Sequence, residues 1–65
     1  MKIEEVKKNL NRMIDYKGDK DTYKLNACIL KKNKDGFYYR LELLDVKANS
    51  LLNCRIEDVT AIEGV

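Results

Sequence analysis

Apolar residues recur at Ile3, Val6, Leu10 and Met13, at intervals of three and four, which places them on one stripe of a helix. Between them stand Glu4, Glu5, Lys7, Lys8, Asn9, Asn11 and Arg12. The acids come early and the bases late, the order the helix dipole favours, and Glu4 precedes Lys8 by one helical repeat. The pattern predicts an amphipathic helix over 1–13. The period then changes. Ile14 and Tyr16 alternate with Asp15 and Lys17, inside a polar stretch that runs to Thr22 around Gly18. Two readings fit: a helix continued to Gly18, or a short strand over 13–17 whose hairpin turns through 18–21. The alternation favours the strand.

The centre of the chain has a period of two. Residues 23–32 and 37–46 are strand-like and flank Asn33-Lys34-Asp35-Gly36, a sequence suited to a type I turn followed by a left-handed glycine. A three-residue loop would pair Asn33 with Phe37, Ile29 with Leu41 and Ala27 with Leu43. That register predicts a core face of Leu25, Ala27, Ile29, Tyr39, Leu41 and Leu43. A further strand over 51–56, after a four-residue loop, would set Leu43 opposite Cys54 and Leu41 opposite Ile56. Leu52, Cys54 and Ile56 would then join the core, and Cys28 would fall on the other face, too far from Cys54 for a disulfide.

The second face mixes Leu30, Leu44, Val46 and Leu51 with Tyr38, Arg40, Glu42, Asn53 and Arg55. A flat sheet would expose these apolar groups, so the sheet is expected to curl or to be covered by the helix or another chain. The tail from Glu57 to Glu63 fits a tight turn and one last short strand. Together these features predict a mainly β (α+β) fold. It has an N-terminal amphipathic helix over 1–13 and, over 14–63, a small antiparallel, SH3-like barrel of four to five strands. One domain spans 1–65.

Three phrases carry a resemblance: YKG at Tyr16–Gly18, GFYYRLELLD at Gly36–Asp45 and RIEDV at Arg55–Val59. In texture the stretch from Tyr16 to Ile62 resembles short proteins of unknown function from low-GC Gram-positive bacteria, some of which look like cargo of mobile elements. The resemblance implies a bacterial origin and brings no functional residue with it.

Composition narrows the chemistry. The chain has 65 residues, no His, no Trp, no Pro and two Cys. Without His, a nucleophile would need a lysine, carboxylate or amine as its base. Two cysteines supply neither a zinc site nor the framework of a small secreted domain. Asp19 and Asp21 imitate the start of a calcium loop, but Lys24 and Leu30 stand where the turn glycine and the bidentate glutamate belong. The three glycines are isolated, so no phosphate-binding loop is present. The expectation is a protein that is not an enzyme, with no catalytic residue, no cofactor and no metal. No run approaches the length of a membrane span, and the first residues lack the apolar core of a signal peptide. A cytoplasmic protein with reduced thiols and no membrane contact is expected. A chain this short often relies on a partner, so a homodimer is a live expectation.

Two binding surfaces remain. The first is an apolar and aromatic patch around Tyr38, Leu44 and Leu51, suited to a protein partner or a second copy. The second is a basic and aromatic set: Lys31, Lys32 and Lys34 on one strand and its turn, with Tyr38 and Arg40 beside them. Aromatics among cations on a sheet are what single-strand nucleic-acid binders use. Net charge is only +2, but it is uneven: residues 1–36 carry ten bases and six acids, residues 37–65 three and five. Edge lysines that prevent aggregation would look similar, and Glu42 in the middle of this face counts against phosphate binding. The protein partner is the first expectation and weak nucleic-acid binding the alternative.

Overall fold

A computed structural model describes residues 1–62. The elements, in chain order, are helix α1 (Ile3–Asn9), strands β1 (Met13–Tyr16), β2 (Asp19–Asn33), β3 (Gly36–Asp45) and β4 (Ser50–Arg55), a 3-10 turn (Ile56–Asp58) and strand β5 (Val59–Ala61). The strands form one antiparallel sheet in the order β4-β3-β2-β1-β5. The mainly-β class with a helix at the N-terminus is therefore as expected. A closed barrel is not formed. The edge strands β4 and β5 do not bond to each other, since the 3-10 turn carries the chain from one edge to the other. The helix covers the core face instead: Val6 is fully buried there, Met1 and Ile3 pack beside it, and the terminal ammonium donates to the Ile56 carbonyl at 3.0 Å.

The helix is shorter than its apolar stripe. Asn11 adopts φ +66°, a left-handed conformation that breaks the repeat. The Asn11 N–H then donates to the Leu25 carbonyl and the Leu25 N–H to the Arg12 carbonyl, drawing the chain into the sheet. Met13 accordingly belongs to β1, and Leu10 is exposed rather than buried. The strand reading of 13–17 is the one found, through Tyr16. The β1–β2 turn is tighter than expected, with Lys17 at φ +52° and Gly18 at φ +89°, the two positive angles of a type I′ hairpin. Asp15 secures it by accepting from the Gly18 N–H at 2.8 Å.

In the central hairpin Asn33 pairs with Gly36, Cys28 with Leu41 and Ala27 with Glu42, one residue away from the expected register. The Asn33 carboxamide accepts from the Asp35 N–H at 2.8 Å, and Gly36 takes φ +124° as a strand residue, which leaves a two-residue loop. A one-residue slip turns every side chain over. Ala27 and Ile29 therefore leave the core face, and Cys28 and Leu30 enter it. A bulge at Asn26 then absorbs one residue, so Leu25 still pairs with Leu43 and stays buried. The β3–β4 register differs from the expected one by two residues, with Leu41 opposite Cys54 and Leu43 opposite Leu52. An even shift preserves the faces, so Leu52 and Cys54 are inside as expected.

The core consists of Val6, Ile14, Leu25, Leu41, Leu43, Cys54 and Val59, with Tyr16 and Tyr23 edge to face beside it at 5.0 Å. Both cysteines are free and now share the core face on either side of Leu41. The disulfide stays out of reach for a different reason: two strand spacings, about 9.5 Å, separate them. Glu63, at the end of the expected last strand, lies outside the described residues. No helix among them is long and apolar enough to cross a membrane.

Candidate functional site

The hairpin of β2 and β3 outruns the rest of the sheet. Strand β1 accompanies β2 only as far as Lys24, and β4 accompanies β3 only as far as Arg40. Beyond these points lies a two-stranded arm, about 30–40, that buries no side chain completely. Its alternation has two consequences. Lys31 and Tyr38 are cross-strand partners on the outer face, next to Arg40. Leu30 with Tyr39, and Lys32 with Phe37, pair on the other face, where the Lys32 ammonium lies 5.6 Å from the centre of the Phe37 ring. Phe37 is 70% exposed, and Tyr38 and Tyr39 are each 39% exposed. Three neighbouring aromatics at solvent are unusual in so small a chain.

At the base of the arm Arg40 stands directly opposite Arg55 on β4. Like charges in facing positions destabilise a sheet, and the Glu57 carboxylate in the same groove offsets them in part. The two arginines line a groove of about 540 Å³ together with Tyr38, Tyr39, Ile56 and Glu57. The groove follows the edge of β3 that β4 leaves unpaired. Alternation puts Tyr38 and Tyr39 on opposite sides of that edge. Between Leu30 and Arg40 there are four cations, Lys31, Lys32, Lys34 and Arg40, against the single carboxylate of Asp35. Glu42 is turned to a different task, accepting from the Asn26 carboxamide at 3.3 Å.

Of the basic and aromatic set, Lys31, Tyr38 and Arg40 come together on the outer face, Lys32 lies on the reverse and Lys34 in the loop. Arg55, Phe37 and Tyr39 join them. The missing signal for Arg55 was the β3–β4 register; once that is set, its place opposite Arg40 follows. The apolar patch does not assemble as one surface. Leu44 and Leu51 face each other across β3 and β4, and Leu51 is 59% exposed. Tyr38 shares their face but stands six residues along β3 from Leu44, about 20 Å away, with Arg40 and Glu42 between.

The thiols are poor nucleophiles. Burial pushes the Cys28 thiol up, and burial, with Asp58 assisting, pushes the Cys54 thiol up against the opposing pull of Arg40 and Lys17. Among the described residues no group of His, Cys, Asp and Glu is placed to hold a metal ion. Compared with known proteins, the chain matches no family model, no curated protein and no solved structure.

Proposed function

We propose that the protein is a non-enzymatic binding module whose ligand-contacting element is the projecting β2–β3 arm, and that its ligand is a single-stranded nucleic acid. One observation carries this reading: Arg40 and Arg55 face each other across β3 and β4 beside the exposed Tyr38 on the same face, an arrangement that costs stability in the free protein and suits a phosphate next to a base stacked on Tyr38. Lys31 extends the positive track along the same face and Lys34 adds a cation at the tip of the arm, while Lys32 lies on the reverse. We read the five-stranded antiparallel sheet as an SH3-like small barrel left open between β4 and β5. The last strand returns beside the first after a short 3-10 turn, and the helix lies over the gap.

The experiment is fluorescence anisotropy with labelled oligo-DNA and oligo-RNA at several salt concentrations. With four to five phosphates contacted, affinity is expected to fall about fifty- to a hundredfold between 50 and 200 mM salt. Lys31→Glu with Lys34→Glu, or Arg40→Glu alone, should abolish binding while the protein remains folded. Binding that ignores salt, or survives these changes, refutes the assignment.

A second reading has its own support in the Leu44–Leu51 pair, of which Leu51 is 59% exposed and Leu44 partly buried, which fits contact with a protein or a second copy. Leu44→Asp should abolish such contact and leave oligonucleotide binding intact.

A further inference from the structure

The nucleic-acid reading uses the outer face of the arm and leaves the reverse face without a role. Phe37 is the most exposed large apolar side chain among the described residues, and Leu30 is more than half exposed. Alternation puts both on the reverse face, with Leu30 opposite Tyr39 and Lys32 opposite Phe37. None of Leu30, Phe37 and Tyr39 packs against the core, so folding makes no use of them. The Lys32 ammonium stands 5.6 Å from the centre of the Phe37 ring. An open aromatic ring with a cation beside it offers a base a stacking surface and the neighbouring phosphate a counter-charge.

The two faces of the arm meet at the free edge of β3. Strand β4 stops opposite Arg40, so the edge from Gly36 to Tyr39 has no neighbour. It carries no charged residue, and its side chains leave to either side: Tyr38 to the outer face, Phe37 and Tyr39 to the reverse. The groove that holds Arg40 and Arg55 is lined by both Tyr38 and Tyr39, and therefore already spans this edge. The unpaired backbone groups there are neutral donors and acceptors that sugar hydroxyls and base edges can satisfy.

We propose that a single strand of nucleic acid crosses the free edge of β3, stacking one base on Tyr38 and a later base on Phe37 on the opposite face. The inference rests on the arm being a nucleic-acid contact, and adds a second stacking site made of Phe37, Tyr39, Leu30 and Lys32. Phosphates lie at Arg40 and Arg55 before the crossing and at Lys32 after it. Charge favours this occupant, since the reverse face and the tip present Lys32 and Lys34 against Asp35 alone. The ligand must be unpaired, because bases held in a duplex cannot part to two faces of a sheet. A footprint of about four nucleotides is expected, the lower end of the range for small single-strand binders.

The chain has no tryptophan, so Phe37→Trp and Tyr38→Trp each supply one fluorescent reporter, on the reverse and the outer face respectively. Octathymidylate is the probe. Both variants should be quenched by it, at the concentrations at which its anisotropy saturates. Phe37→Ala should weaken its binding about tenfold or more, with thermal stability nearly unchanged because the ring lies outside the core. Lys32→Glu should weaken it as well. Quenching at Tyr38→Trp but not at Phe37→Trp overturns the second site and leaves the outer-face contact standing, and so does undiminished affinity in Phe37→Ala. A protein that binds no octathymidylate at low salt overturns both.

Discussion

The same two strands, β2 and β3, build two regions of opposite character. Under the helix they hold Leu25, Leu41 and Leu43 with no exposed surface at all, and no charged group among the described residues is buried. A few residues further along they carry Leu30, Phe37, Tyr38 and Tyr39 into solvent among four cations. The change takes place where β1 and β4 stop, close to where the sequence turns polar at Lys31–Gly36. Apolar side chains in the body contribute to stability because neighbours surround them. In the arm the same residue types have little to pack against, so their presence there points to contact with something else.

The sharpest way to break this contrast is to truncate one leucine in each region. Leu41→Ala should cost about 2–5 kcal/mol, a large share of the stability of a chain this short. Leu30→Ala should cost about 1 kcal/mol or less in the same urea titration. Equal losses would mean that the arm is part of the core. Next in size is Gly36→Ala. The residue sits at φ +124°, and although a Cβ there would meet no atom, the backbone strain should cost about 1–3 kcal/mol and loosen the arm.

Why the arm escaped a reading of the sequence is a matter of single residues. The periods of two and of three to four are local properties, and they disclosed the helix, the strands and the Asn33–Gly36 turn. Register is decided by backbone hydrogen bonds that side-chain periodicity does not encode. The Asx turn at Asn33 and the bulge at Asn26 each moved the chain by one residue, exchanging Ala27 and Ile29 for Cys28 and Leu30 on the core face. The helix was overestimated for a related reason: Leu10 and Met13 obey its period, but Asn11 bonds to Leu25 across the sheet. Lys31, Tyr38 and Arg40 could be picked out as a group because alternation and charge suffice for that. Arg55 could not, since it reaches them only through the tertiary pairing of β4 with β3.

Two smaller effects sharpen the comparison. Arg40→Gln or Arg55→Gln should leave thermal stability unchanged or raise it by up to about 1 kcal/mol, by removing a facing like charge. The same variants should lose oligonucleotide affinity, and a variant that loses stability instead would make the pair a structural feature of the body. The thiols supply the mildest effect. Folding disfavours the thiolates of Cys28 and Cys54, so that contribution is present below the ordinary thiol pKa and is lost as pH rises through the elevated folded values. Stability should therefore decline above about pH 9, and Cys28→Ser with Cys54→Ala should flatten that decline.

The most direct measurement is an amide NMR titration of the labelled protein with a short single-stranded oligonucleotide at low and moderate salt. The expected outcome is a set of salt-sensitive shifts at Lys31–Lys34, Phe37–Arg40 and Arg55, with Leu25, Leu43 and Val59 unmoved. Shifts that cluster instead at Leu44 and Leu51, or a spectrum unchanged at low salt, would contradict the assignment of the arm as the nucleic-acid contact.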